Sequence, residues 1–195
     1  MTEPILAPDY PILTERLLLR PIDAEADLMA MHSYRSDPEV CRYVPFSPGT
    51  PEELAERLAD PERVRSVIDD EGQVLFLVMV RRDTGELIGD LVLFWHSSTD
   101  QRAEVGYVLH PDHEGHGFAT EGTRALLALC FDEAAAHRVT ARLDERNVAS
   151  ARLLERLGFR REATFVDGEW FKNEWTTLLV YAMLDREWAA QNSRT

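Results

Sequence analysis

Residues 104–121 read Glu-Val-Gly-Tyr-Val-Leu-His-Pro-Asp-His-Glu-Gly-His-Gly-Phe-Ala-Thr-Glu, and this stretch decides the fold. Val105, Tyr107 and Leu109 alternate with Gly106 and Val108, the pattern of a strand covered on both faces. His110-Pro111-Asp112 ends that strand, because proline cannot donate to a ladder and aspartate favours a turn. Gly115 and Gly117 then let the backbone approach a neighbour with no Cβ in the way. From Phe118 onward only Gly122 interrupts a helical pattern, which predicts a helix over 118–135. Leu126, Leu129 and Cys130 share one of its faces, and Leu127 and Phe131 form a second stripe. A helix start offers unpaired N–H groups and the positive end of the dipole, so behind a glycine turn it makes a seat for a phosphate or diphosphate. The same two glycines also suit a tight strand-to-helix turn with nothing bound. A dinucleotide-binding turn fits less well, since Gly122 does not stand where a third glycine is needed.

The flanking sequence supplies a sheet. Thr14–Pro21 reads as an opening strand with Leu17 and Leu19 inward. A helix follows over 24–35, capped by Asp23, with Ala26, Met29 and Ala30 on its inner face. Residues 38–50 read as one short helical turn and a loop whose apolar Val44, Pro45 and Phe46 can meet a ligand or plug a gap. Thr50-Pro51-Glu52-Glu53 opens a helix to about 59: a cap, a first-turn proline, then acids against the dipole. Strands are expected at 73–81, 86–95 and 103–109, joined by turns and therefore antiparallel. His137–Asp144 returns beside 103–109 after a helical crossover, which makes that pair parallel. Asn147 caps a helix whose face carries Ser150, Leu153, Leu154 and Leu157, and Gly158 stops it. Strands at 159–165 and 175–184 close the chain around a turn at Asp167-Gly168. Residues 1–10 read as a loose lead-in and 189–195 as a polar tail, which gives a single domain over 1–195.

Composition limits the function classes. A net charge of -14 over 195 residues argues against a general nucleic-acid binder, which needs a basic footprint. It also favours approach of a cationic substrate such as an amine, although solubility alone accounts for it. No apolar run approaches the roughly 20 residues that cross a bilayer, and the N-terminus lacks a signal-peptide pattern. Cys41 and Cys130 form no metal or redox spacing, so no metal is expected and a cytoplasmic location with free thiols is the simplest account.

Four motifs resemble one family. Gly115-His116-Gly117-Phe118-Ala119-Thr120-Glu121 looks like the acyl-CoA diphosphate loop of the GNAT N-acetyltransferases. Thr14-Glu15-Arg16-Leu17-x-Leu19-Arg20 is similar to the opening strand of the branch that includes ribosomal-protein N-terminal acetyltransferases. Asn147-x-x-Ser150-x-x-Leu153-x-x-x-Leu157-Gly158-Phe159 resembles that branch's second CoA-contacting segment, and Lys172-Asn173-Glu174-Trp175 its last strand. The resemblance spans nearly the whole chain. It implies an α/β (mixed α+β) GNAT fold: a mostly antiparallel sheet, flanked by helices, with a parallel strand pair splayed into a V.

It further implies acetyl-CoA as cosubstrate and a primary amine as acceptor, either a protein N-terminus or a small amine. The diphosphate would sit on the N–H groups of His113, Glu114, Gly115, His116, Gly117, Phe118 and Ala119, with Thr120 beside them. The pantetheine arm would run along Tyr107, Val108 and Leu109, and Asn147, Ser150, Leu153 and Arg156 would meet it from the second helix. Peptide N–H groups around Val108 would stabilise the oxyanion. Glu104 is the first candidate for the base, with Asp144 and Glu174 behind it, and His96 reads as a turn residue. The family often places a tyrosine acid where this chain has Leu154, so Ser150 or solvent would protonate the thiolate. Asp112, Glu114 and His116 depart from the basic residues usual around the loop. The missing tyrosine keeps open a CoA-binding module without catalysis, and a nucleotide-binding structural domain is a third reading. A homodimer is compatible with all three.

Overall fold

The computed structural model describes residues 3–193. Its strands are β1 (Ile12–Leu13), β2 (Leu17–Pro21), β3 (Val74–Arg81), β4 (Leu87–Ser97), β5 (Arg102–Leu109), β6 (Arg138–Asp144), β7 (Arg160–Phe171) and β8 (Glu174–Leu184). Its helices are α1 (Leu28–Arg35), α2 (Pro38–Cys41), α3 (Pro51–Leu58), α4 (Phe118–Ala128), α5 (Val148–Leu157) and α6 (Asp185–Asn192). The strands form one sheet in the order β1-β2-β3-β4-β5-β6-β8-β7, antiparallel throughout except for β5 beside β6. This is the mixed sheet the sequence pattern implies, with β6 returning by the α4 crossover.

The two faces carry different cores. One buries Val105, Leu126, Leu127, Val139, Leu153, Leu154, Leu157 and Tyr181 under α4 and α5. The other buries Met31, Tyr34, Leu54, Leu58, Phe76 and Val78 under α1 and α3. Successive β5 residues point to opposite faces. Hence Tyr107 and Leu109 pack on the α4 side and Val108 on the α1 side.

Several expectations change. The lead-in is tied down: Leu6 is buried and bridges Ile68, and the Tyr10 hydroxyl donates to the Ser66 carbonyl at 3.0 Å. Residues 1–2 of that lead-in, and 194–195 of the tail, lie outside the described residues. The first helix starts at Leu28, because Asp23 spends its carboxylate on the N–H groups of Glu25 and Ala26. Its inner face is therefore Met31 and Tyr34, and Met29 is exposed. The helix at 118 ends as α-helix at Ala128 and widens into a π-turn over Leu129–Glu133. Asp167-Gly168 is an irregularity within β7, and the chain reverses at Lys172-Asn173, both at positive φ. Residues 189–192 of the polar tail continue α6, which buries Trp188 against Phe131 with ring centroids 5.7 Å apart.

Candidate active site

The site begins where β5 and β6 part. Their parallel pairing covers only Arg102↔Arg138, Ala103↔Val139 and Glu104↔Thr140. Beyond Glu104, β5 stays bonded to β4 but leaves β6. In an antiparallel ladder the residues bonded to one neighbour alternate with residues facing the other side. The His110 N–H donates to the Ile88 carbonyl at 2.8 Å, and the Ala103 carbonyl accepts from Thr140 Oγ1 on β6 at 3.2 Å. The alternation therefore turns the Val108 peptide toward β4. The groups opening into the splay belong to Val105, Tyr107 and Leu109, so any donor this strand offers to a bound thioester would come from these and not from Val108.

The glycine loop closes one end of the gap. Pro111–His113 forms a 3-10 turn that spends the N–H groups of His113 and Glu114 on the carbonyls of His110 and Pro111. Gly115 and Gly117 then adopt φ of 76° and 83°, left-handed values that cost little only for glycine. Gly117 caps α4, and the Glu121 N–H is the first to bond back to its carbonyl. Among the described residues, the N–H groups of Gly115, His116, Gly117, Phe118, Ala119 and Thr120 meet no protein acceptor. The row of free amides thus begins two residues later than the sequence suggests. An anion placed in the cleft beside Gly115, Gly117, Ala119 and Thr120 finds unpaired backbone donors and the positive end of α4.

Arg16 and Glu121 hold the loop in this posture. The Glu121 carboxylate accepts from Thr14 Oγ1 at 2.6 Å, the Arg16 N–H at 2.7 Å and Arg16 Nε at 2.7 Å. Arg16 also donates to the His116 carbonyl at 2.9 Å and lies 4.6 Å over the Phe118 ring. Burial raises the Glu121 pKa, but the bonds from Thr14 and Arg16 outweigh it and hold the carboxyl below its ordinary value. The sequence motifs contained both residues, yet only the fold reveals that they lock together across the loop.

A cleft of about 1030 Å³ runs from this loop through the splay. Of the residues named from sequence, Tyr107, Val108, Leu109, Glu114, Gly115, Gly117, Ala119, Thr120, Asn147, Ser150, Leu153 and Arg156 line it. His113, His116 and Phe118 do not. His113 is buried with its ring 3.3 Å from Glu86, Phe118 is buried beneath Arg16, and His116 presents its carbonyl to Arg16. Arg16 and Arg124 add positive charge to the wall, while Glu114 stands in it as a negative group. Asn147 spends its side-chain oxygen on the Ser150 N–H at 3.1 Å, which caps α5. Leu154 is buried in the core, so the position where a tyrosine acid is usual does not reach the cleft. Tyr107 does. Burial holds its phenol pKa above the ordinary value, and the nearby Ser150 hydroxyl and the charge of Arg156 offset only part of that rise.

The far wall is formed by Asp37, Glu39, Val40, Tyr43 and Val44, from the loop between α1 and α3. Val44 had been singled out in the sequence; the others carried no signal there. Phe46 turns away from the cleft and lies under Arg35, 4.4 Å from its guanidinium. Glu104 sits at the root of the splay, outside the cleft lining, with one oxygen 3.5 Å from His96 Nε2. His96 therefore belongs to β4 and not to a turn. Asp144 and Glu174 are both engaged by Arg146, at 2.6 and 2.9 Å. The hydrogen bond from Arg146 holds the Asp144 pKa low, which makes it a poor base.

Comparison with known proteins agrees with this architecture. The acetyltransferase (GNAT) domain model matches residues 16–160, and the chain belongs to the GNAT acetyltransferase family. Bacillus subtilis (strain 168) YnaD, named as an N-acetyltransferase, is 32% identical over 177 residues, covering 91% of this chain and 98% of YnaD. YdaF of the same organism, named as a candidate ribosomal N-acetyltransferase, is 31% identical over 107 residues, 55% of this chain and 58% of YdaF. A spermidine N-acetyltransferase from Vibrio cholerae, solved with CoA and spermine, superposes with a TM-score of 0.76 at 20% identity. The match covers 90% of this chain and 99% of that one, and it shows a shared fold. The protein is an enzyme of the acyltransferase class. No helix among the described residues is long and apolar enough to cross a membrane.

Proposed function

We propose that this protein transfers the acetyl group of acetyl-CoA to a primary amine by direct attack in a ternary complex. The observation that carries the proposal is one continuous cleft joining six unbonded amides at Gly115–Thr120 to the opened edge of β5. The diphosphate binds those amides, with Arg16, Arg124 and Arg156 in the same wall. The pantetheine arm follows the free peptide groups of Leu109, Tyr107 and Val105, which delivers the thioester into the splay.

The amine enters from the Asp37–Val44 side, loses its proton and attacks the thioester carbonyl carbon. The free N–H groups of the splayed strand hold the oxyanion. Collapse breaks the C–S bond, and the departing thiolate accepts a hydrogen bond from the Ser150 hydroxyl, which lines the cleft beside Tyr107, and takes its proton from solvent. Glu104 receives the amine proton through water, since it lies at the root of the splay and not in the cleft wall. Holding the two reactants together supplies most of the acceleration. Asp37 and Glu39 in the far wall favour a cationic acceptor, which is compatible with a protein N-terminus or a small polyamine. The protein acts in the cytoplasm. The test mixes protein, acetyl-CoA and a panel of amines with a thiol reagent. Amine-dependent release of CoA is expected, and tight CoA binding without release on any amine would identify a binding module instead.

A further inference from the structure

The far wall of the cleft is built on a short segment, residues 36–47, in which α2 spans only Pro38–Cys41. A helix of one turn has little stability of its own. Its posture must come from what it is fastened to. One fastening is internal: Cys41 is buried and its Sγ meets the Arg35 carbonyl at 3.0 Å. Arg35 in turn is held by Asp90 at 2.6 Å and supports the Phe46 ring.

The other fastening comes from the opposite end of the chain. The β7–β8 hairpin reverses at Lys172-Asn173, with φ of 49° and 67°. This turn extends Lys172 over the segment, where its ammonium donates to the Cys41 carbonyl and, at 2.9 Å, to the Phe46 carbonyl. These carbonyls bracket Tyr43 and Val44, two of the residues facing the cleft. One residue beyond the turn, Glu174 binds Arg146 at 2.9 Å, and Arg146 lies 5.9 Å from the Tyr43 ring. The hairpin tip therefore grips the far wall twice, by Lys172 directly and by Glu174 through Arg146. Lys172, Glu174 and Arg146 are not among the residues lining the cleft with Gly115–Thr120.

We infer that Lys172 is a positioning residue for the amine acceptor: by fastening both ends of residues 41–46 it sets the cleft wall against which the amine is held. The role in acceptor binding rests on the acetyl-transfer reading; the fastening itself does not. Hydrogen exchange followed by mass spectrometry on the parent protein, Lys172→Met and Lys172→Arg separates the two. In Lys172→Met, amides of 37–47 should exchange about tenfold faster, the order expected for losing a pair of charge-assisted bonds that solvent screens because one of them is exposed, while those of 113–128 stay unchanged. Lys172→Arg keeps the charge and donors and should recover most of the protection. With the amine from the panel that the parent acetylates fastest, Lys172→Met should raise its KM about tenfold and leave the calorimetric Kd for CoA unaltered. Unchanged exchange at 37–47 in Lys172→Met would overturn the fastening. An equal loss of CoA affinity and amine KM would overturn its selectivity for the acceptor. Absence of turnover by the parent with every amine would refute acetyl transfer, while the exchange result would still decide the fastening.

Discussion

Gly117 offers the sharpest perturbation of the anion seat, because it sits at the N-cap of α4 with φ of 83° and lines the cleft. A Cβ built there lies 3.5 Å from Arg16 Nη2, an ordinary contact, so alanine fits in space and only the left-handed backbone is strained. That strain is about 1 kcal/mol for a single residue. In a chain of this size it lowers Tm by about 3 °C. Gly117→Ala should therefore cost some stability and leave CoA affinity within about threefold, since less than 1 kcal/mol separates such values. Gly117→Trp bears the same backbone strain but places an indole over the neighbouring amides. Losing two hydrogen bonds to a charged group, at about 1.5 kcal/mol each, weakens binding by about a hundredfold. Calorimetric titration with CoA measures it. Acetyl-pantetheine, which lacks the diphosphate, is the control: its kcat/KM should fall less than about threefold in Gly117→Trp, because the seat plays no part in holding it. Normal CoA affinity in the tryptophan variant, or an equal loss with acetyl-pantetheine, would refute the reasoning.

Three further outcomes are expected. Glu104→Gln should lower kcat/KM about a hundredfold and remove the acid limb of its pH profile, the signature of losing a general base; a parental pH profile would exclude Glu104 from the proton's path. Ser150→Ala should reduce kcat about tenfold through loss of one hydroxyl donor to the thiolate. Its Tm should stay parental, because the α5 cap uses the Ser150 backbone N–H, so a large fall in Tm would mean that the hydroxyl is structural. Glu121→Ala should destabilise the fold by about 2 kcal/mol at pH 7, a value discounted because Arg16 is partly exposed. The Glu121 carboxyl is held below its ordinary 4.5, so its contribution is complete above that value and disappears as pH falls through the folded-state pKa. Urea unfolding should show parent and variant converging as pH drops below 4.5, and a constant gap would contradict the assignment.

Much of this fold was legible because its determinants are local. The alternation in Val105–Leu109, the two glycines and the cap at Asn147 each state their own geometry, and the crossover gives the parallel pair, whereas the splay came only from the family resemblance. What stayed hidden depends on distant partners. Glu121 and Arg16 are ordinary charged residues until the fold brings them within 2.7 Å. Asp144 and Glu174 were plausible bases until Arg146 was found between them. Phe118, His113 and His116 belong to the loop motif, but the backbone turns their side chains away from the cleft, so the motif marks a peptide path and not three contacts. Leu6 and Trp188 lie in apolar stretches too short for a periodic signal, one between prolines and one between charged and polar residues, yet both are buried. Asp37, Glu39 and Tyr43 face the cleft from a segment tied to distant partners, Arg35–Asp90 on one side and Lys172 at the hairpin tip on the other.

The central claim is that a CoA diphosphate docks on the peptide groups of 115–120 while its arm threads between β5 and β6. Amide chemical shifts of nitrogen-15-labelled protein, followed as CoA is added, test it directly. The largest movements should fall on Gly115–Thr120 and on Tyr107 and Leu109, with residues of β7 still. Movements confined to other segments, with those amides undisturbed at saturating CoA, would contradict the account.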